Sequence, residues 1–313
     1  MTARSARLRA LLACFDDLNK DYSMKRFSQL TYARQQRLVA AVFLAIPLAL
    51  VAIFGYLPFF SMIEYSFLRW DGLSSKEFIG LANYVDAMTR VENFRVFFVS
   101  LYYFGASFIQ LGLALFFATV LSFKVKGHSF FKGVLFFPNL INGVAIGLVF
   151  LYFYKDTGTL NTFLKLLGID SDVLWLTNPS LVNYSIAATS VWRYMGYNMV
   201  MFLGAIQSIP SDIYEAAEID GANKWQIFWR IIFLSILPII ELMVILSITG
   251  SLSVFETPYI MTGGGNGSET FVIRTVNTAF SFNKFGLASA MAMILTAIVL
   301  TVTFIQKKIF KER

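Results

Sequence analysis

At 313 residues, with 57% drawn from the apolar set AVILMFWYC and only 14% charged, the chain is too apolar for a soluble domain, whose surface needs far more charge than 19 acids and 26 bases provide. Several near-uncharged runs of about 20 residues indicate an all-α polytopic membrane protein, since they are much longer than barrel strands and lack barrel alternation. One cysteine, Cys14, excludes an intramolecular disulfide framework, and one histidine, His128, cannot assemble a histidine metal site.

Residues 1–37 carry Arg4, Arg7, Arg9, Lys20, Lys25, Arg26, Arg34 and Arg37 against Asp16, Asp17 and Asp21. They read as a basic cytoplasmic tail that fixes orientation, with a membrane-surface helix as the second reading. The apolar stretch before Leu12-Ala13-Cys14 is too short for a lipoprotein signal, and no cleavable signal peptide is expected. A helical membrane domain over 38–306 follows, with six transmembrane helices. The first span is expected over 38–60 and on towards Phe67, with Pro47 and Pro58 as sources of a kink. Residues 68–94 form an external segment.

The second span is expected over 96–123, followed by a basic loop with Lys124, Lys126, His128 and Lys132. The third, over 133–154, holds Pro138, Gly143 and Gly147, which suit close helix packing or an irregular pathway lining. Residues 155–180 are polar and turn-rich, with Trp175 as an interface anchor. The fourth span runs over 181–207, the fifth over 232–255 and the sixth over 285–305, before a basic tail over 307–313. Residues 256–284 are the last external loop. With both termini inside, inner segments hold 17 Lys and Arg and outer segments 8, an excess that supports this orientation.

Between the fourth and fifth spans lies a polar island, Ser208–Pro238. Ser211 and Asp212 are candidate helix N-caps, and Glu215 stands three residues after Asp212, close to a capping box. Asp220-Gly221 offers a turn that ends the helix, and a second helix is expected from about Asn223 into the next apolar run. The result is a helix–turn–helix that the charge count places on the cytoplasmic side.

The residues Glu215-Ala216-Ala217, Asp220-Gly221-Ala222, Gln226 and Phe228 resemble the EAA motif loop of ATP-binding-cassette (ABC) importer permeases. Gly80-Leu81-x-Asn83-Tyr84 and the Met261-Thr262-Gly263-Gly264-Gly265-x-Gly267 run resemble elements of carbohydrate permeases of the maltose type. The resemblance covers roughly 38–306 and implies a type I ABC importer permease fold in a bacterial cytoplasmic (inner) membrane. It also implies a heterodimer with a second permease subunit, two ATPase subunits that use ATP and Mg, and an extracytoplasmic binding protein that delivers the sugar.

In the family the loop at about 208–232 docks on the ATPase, which gives Glu215, Ala216, Ala217, Asp220, Gly221 and Ala222 a coupling role. Thr262, Gly263, Gly264, Gly265 and Gly267 become binding-protein contact candidates. Their spacing lacks the Lys-Ser/Thr of a phosphate loop, so nucleotide binding is rejected. The family's Ile-x-Leu-Pro after the glycine is replaced by Ile231-Ile232-Phe233-Leu234, with proline only at Pro238.

Arg193, alone among the bases in lying deep in a span, either snorkels or pairs with an acid such as Glu241 or Glu64, or else lines the pathway. Tyr194, Tyr197 and Asn198 beside it present rings and an amide suited to sugar hydroxyls. No catalytic residue, metal or resident cofactor is expected in this chain, and no nucleic acid. The alternative is a secondary transporter or channel for a small polar solute, though Glu241 is its one obvious mid-span acid. A membrane-embedded enzyme lacks the chemical equipment. Oligosaccharides, acidic uronides, glycerol-phosphate derivatives and polyols all remain open as cargo.

Overall fold

The computed structural model describes residues 31–123, 126–169 and 172–311. Most of the expected basic tail, with Cys14, lies outside these residues, as do Lys124, Asp170 and Arg313. The chain divides into two units, Met1–Met62 and Ile63–Arg313.

The first unit holds α1 (Tyr32–Val51), which starts before the expected Leu38, a π turn, Ala52–Tyr56, and the start of α2 (Leu57–Ser66), whose residues 63–66 belong to the second unit. Pro58 has no N–H for the Phe54 carbonyl, and the wider turn just before it takes up the broken ladder.

In the second unit a two-stranded hairpin, β1 (Leu68–Arg69) and β2 (Glu77–Phe78), interrupts the helical architecture with Leu68 opposite Phe78. The short helix α3 (Ala82–Thr89) then returns to the end of α2. The buried Asn83 amide donates to the carbonyls of Ser66 and Leu68, at 2.9 and 2.8 Å, and so satisfies acceptors that the end of α2 leaves open. The Tyr84 hydroxyl lies 2.8 Å from Ser66 Oγ. These contacts give the Gly80–Tyr84 element a structural task.

The long helices α4 (Val91–Ser122) and α8 (Val182–Gln207) form the most extensive packing pair. Ala114 and Ala118 on α4 and Met199, Phe202 and Leu203 on α8 are fully or almost fully buried in one core cluster. In a bilayer this contact is driven by close packing rather than by expulsion of water, which is why small residues sit in it. Close approach recurs where α8 meets Leu135: a Cβ at Gly196 would stand 1.8 Å from the Leu135 carbonyl oxygen.

The third expected span is not one helix. It is α5 (His128–Leu140) and α6 (Gly143–Phe153), bent by 96°. Pro138 cannot continue the hydrogen-bond ladder, and Asn142 starts a new helix by accepting from the Val144 N–H at 2.9 Å.

Among the described residues, four helical runs are long and apolar enough to cross a membrane: Tyr32–Ser66, Val91–Ser122, Leu237–Thr262 and Phe285–Ile309. The bent pair makes up to five. α8, with 26 residues and a length of about 39 Å, also exceeds the bilayer core. It carries Arg193 and a run of hydroxyl and amide side chains, so it is less apolar than the others.

The fifth span starts later than Ile232. Its helix α12 (Leu237–Leu252) has Pro238 in the first turn, where the missing N–H costs nothing. Residues 256–284, expected as a loop, contain α13 (Glu256–Thr262) and α14 (Phe271–Phe280). The last helix, α15 (Phe285–Lys311), runs past the expected 305. Trp175 is not a free interface anchor: its indole N–H donates to Asn161 Oδ1 at 2.8 Å. Asn161, buried on α7 (Thr159–Leu166), in turn donates to the carbonyls of Asp156 and Val173.

Candidate functional site

The polar island folds as a helix–turn–helix. Its first helix, α9 (Ser211–Ile219), has Pro210 at the N-cap position and no side-chain cap. Ser211 and Asp212 are therefore in the first turn rather than capping it, because Pro210 already fixes the entry. The helix ends at Asp220 in a Schellman arrangement: the Ala222 N–H donates to the Ala217 carbonyl at 2.9 Å and the Gly221 N–H to that of Glu218 at 3.0 Å. Gly221 has φ +74° with open space around it, so backbone conformation alone demands the glycine.

The capping box sits on the next helix. Asn223 Oδ1 accepts from the Gln226 N–H, and Gln226 Oε1 from the Asn223 N–H, both at 2.9 Å.

α9 is two-faced. Tyr214, Ala217 and, past the turn, Ala222 pack on the core cluster of α4 and α8. Burial pushes the Tyr214 hydroxyl above its ordinary pKa. Asp212, Glu215, Ala216 and Ile219 are exposed, and so are Asp220 and Gly221. Ile219, 86% exposed, is a large apolar side chain at the tip of a polar loop, which the sequence motif did not single out. An acidic stripe ending in an apolar tip suits insertion into a basic-rimmed apolar cleft.

A cavity of about 480 Å³ lies between α4, α8 and α12. α4 contributes Tyr103, Ser107 and Gln110, α8 Ser190, Tyr194, Tyr197 and Asn198, and α12 Leu246, Ser247, Gly250 and Ser251. The break at Ser253–Phe255 and the start of α13 close one end with Glu256 and Thr257. The Tyr103 hydroxyl is buried without a hydrogen-bond partner among the described residues.

Arg193 does not line this cavity directly. Its Nη1 donates to Glu256 Oε2 at 2.9 Å, and the guanidinium lies 5.0 Å from the Tyr194 ring centroid. The Arg193 side chain is 11% exposed and that of Glu256 42%. The partner is thus Glu256 rather than Glu241 or Glu64. It stands 63 positions away in a segment that looks like a loop, so the sequence carries no local sign of it. Two glycines one turn apart on α6 admit α13: a Cβ at Gly143 would reach Glu256 Oε2 at 1.8 Å, and one at Gly147 would reach Ile260 Cγ2 at 2.7 Å.

The glycine-rich run is tied to distant parts of the chain. Thr262 is the last residue of α13, whose C-cap is Gly263, and its hydroxyl lies 2.6 Å from Ser268 Oγ. Gly263, Gly264 and Gly267 all have positive φ. The Asn183 amide donates to the Gly267 carbonyl, and the Asn266 amide to that of Leu176, both at 3.0 Å. Gly263, Gly265 and Gly267 are exposed and Gly264 is half-buried.

The family model described as "Binding-protein-dependent transport system inner membrane component" matches residues 110–313. The probable ABC transporter permease protein YurN of Bacillus subtilis is 34% identical over 285 residues, covering 88% of this chain and 97% of the relative. The multiple sugar-binding transport system permease protein MsmF of Streptococcus mutans is 31% identical, with 86% and 94% covered. The osmoprotective compounds uptake permease protein GgtC of Synechocystis is 34% identical, with 82% and 93% covered.

Among solved structures, a bacterial alginate ABC transporter in complex with an alginate pentasaccharide-bound periplasmic protein superposes with a TM-score of 0.77 at 20% identity, covering 88% of this chain and 94% of that one. A bacterial ABC transporter involved in import of the acidic polysaccharide alginate gives 0.77 at 22%, covering 89% and 96%. That likeness is one of fold.

Proposed function

Because the chain belongs to the family of binding-protein-dependent transport system inner membrane components, it is an ABC importer permease, and we propose that its cargo is a carbohydrate, most simply an oligosaccharide. The observation that carries the cargo class is the lining of the cavity. Tyr194 and Tyr197 offer aromatic faces, and Asn198, Ser107 and Gln110 offer amides and hydroxyls at converging positions. Sugar rings present apolar faces ringed by hydroxyls and need this combination. The sugar transport named for the Streptococcus mutans relative supports the same class. Family membership removes the secondary transporter or channel from consideration.

In this reading the chain pairs with a second permease and sits in a bacterial inner membrane with both termini in the cytoplasm. Two separate ATPase subunits bind ATP and Mg, and an extracytoplasmic binding protein delivers the sugar to the side that carries the Thr262–Gly267 loop. No catalytic residue belongs to the chain itself.

Coupling follows the polypeptide. The exposed stripe with Glu215 engages the ATPase, and closure of the ATPase dimer displaces α9 as a rigid unit. The elbow after Gly221 passes this displacement to α12, which walls the cavity with Leu246, Ser247, Gly250 and Ser251. At the far end of α12 the chain reaches Glu256 and its ion pair with Arg193. Movement of α12 thereby alters both the cavity wall and the electrostatic brace that closes it.

The test uses the assembled transporter in proteoliposomes, with ATP-dependent uptake measured across a panel of labelled oligosaccharides. Glu215→Lys reverses the charge of an exposed side chain. It is expected to weaken retention of the ATPase subunits about tenfold or more and to abolish uptake, with the melting temperature of the permease unchanged. Full association and uptake in that variant would refute the coupling role. ATP-dependent uptake of none of the sugars by the unaltered transporter would refute the cargo class.

A further inference from the structure

The elbow between α9 and α12 has two unlike faces. It consists of α10 (Lys224–Ile227), a π turn (Phe228–Ile232) and α11 (Phe233–Ser235). Ile227, Ile232 and Ile236 are buried in the core of α4 and α8. The step from Ile227 to Ile232 is five residues. A regular helix would bring Ile231 to that position, and the π turn inserts the extra residue that keeps Ile232 and Ile236 inward.

The other face is aromatic and open. Trp225 is 69% exposed and Trp229 45%, with ring centroids 5.7 Å apart. Trp229 packs on Phe233 at 5.2 Å, and Phe228 lies 5.0 Å from Trp229. Leu234 follows, exposed, at the entry to the membrane-spanning α12. No hydrogen bond ties either indole N–H to another described residue, in contrast to Trp175, whose N–H is held by Asn161.

Charge separates this face from the docking helix. Every charged residue of α9 and its turn is acidic: Asp212, Glu215, Glu218 and Asp220. From Gly221 to Ile240 every charged residue is basic, namely Lys224 and Arg230, and both are exposed. One partner surface cannot complement both. The acidic helix calls for a basic partner, and the elbow calls for an anionic one that also accepts indoles with free N–H groups.

We propose that the Trp225–Trp229–Phe233 row seats the elbow in the interfacial layer of the cytoplasmic leaflet, with Lys224 and Arg230 on anionic phospholipid headgroups. Indoles favour the headgroup level, where the ring is apolar-solvated and the N–H is wet. Basic side chains beside an anionic leaflet add attraction there. The elbow then turns against the lipid surface, so displacement of α9 rotates α12 instead of sliding it out of the membrane. This rests on the cytoplasmic placement of the loop proposed above.

The test places the complete transporter in nanodiscs made with phosphatidylcholine or phosphatidylglycerol brominated near the headgroup, and reads tryptophan fluorescence. Of the five tryptophans, Trp225 and Trp229 are removed as Trp225→Phe/Trp229→Phe. Brominated phosphatidylglycerol is expected to quench the unaltered protein at least twice as strongly as brominated phosphatidylcholine. The double variant should lose that extra quenching, and Lys224→Gln/Arg230→Gln should equalise the two lipids. The first comparison needs no variant, so a folding defect cannot obscure it.

Equal quenching by the two lipids in the unaltered protein would overturn the anionic preference. Absence of lipid quenching from Trp225 and Trp229 would overturn the proposal, whether acrylamide shows them open to water or covered by the ATPase subunits. Neither result bears on the cargo class, which sugar uptake reads separately.

Discussion

Two loops begin alike and are held by different means. Gly221 follows the short helix Ser211–Ile219, Gly263 follows the short helix Glu256–Thr262, and both adopt left-handed backbone. Around Gly221 the turn is closed by bonds between near neighbours, Ala222 to Ala217 and Asn223 to Gln226. Around Gly263–Ser268 local bonds, Gly265 to Thr262 and Ser268 to Gly265, are joined by bonds that reach 84 and 90 positions along the chain, to Asn183 and Leu176, and the Thr270 hydroxyl donates to the Val254 carbonyl. A loop closed by local bonds keeps its shape when it moves. A loop closed by distant bonds keeps other elements in place. The first is suited to carrying motion and the second to resisting it.

Matched glycine substitutions give the largest break in this comparison. Gly264→Ala meets both a positive φ and a crowded site, where the new Cβ would stand 3.0 Å from Ile273 Cγ2 and 3.3 Å from Glu269 Cα. It should cost about 2–4 kcal/mol and lower the melting temperature of the permease. Gly221→Ala meets the same backbone strain in open space and should cost about 1–2 kcal/mol, confined to the turn. If the two variants melt together, the distinction between scaffold and carrier fails.

Removing a single tie is a smaller intervention. Asn183→Ala deletes the bond to the Gly267 carbonyl and should cost about 1 kcal/mol, seen as a lower melting temperature with normal retention of the ATPase subunits. Asn223→Ala removes the capping box, again worth about 1 kcal/mol or less, but its effect should stay local. Hydrogen exchange should quicken over 211–226 and remain unchanged at Asn183 and Gly267. Spread of the change to those distant amides would show that the cytoplasmic turn is part of the scaffold after all.

The contrast also explains what the sequence made legible. The helix–turn–helix could be read because its determinants lie within seventeen residues: the proline, the Asp220-Gly221 turn and the Asn223/Gln226 pair. Even there, Pro210 displaced Ser211 and Asp212 from the cap. Arg193 could be read as an intramembrane charge needing a partner, but Glu256 could not, because the pairing depends on α13 docking against Gly143 and Gly147. The third span looked continuous because Asn142, which restarts the helix, is with Asn139 one of two asparagines in an otherwise apolar stretch. The elbow's two faces were hidden for a different reason. The π turn shifts the inward positions from a four-residue to a five-residue step, and a pattern search at helical period blurs them.

One helix, Leu237–Leu252, hangs from the elbow at one end and walls the cavity at the other. Reciprocity follows from that shared element as a matter of thermodynamic linkage. If an occupant of the cavity binds one position of the helix tenfold more tightly than the other, it biases the helix by about 1.4 kcal/mol. The ATPase, wherever its docking depends on the same two positions, then acquires an affinity that depends on the cargo, and the cargo acquires one that depends on the nucleotide. Arg193 and Glu256 are joined just past the end of that helix, so their pairing enters the same balance.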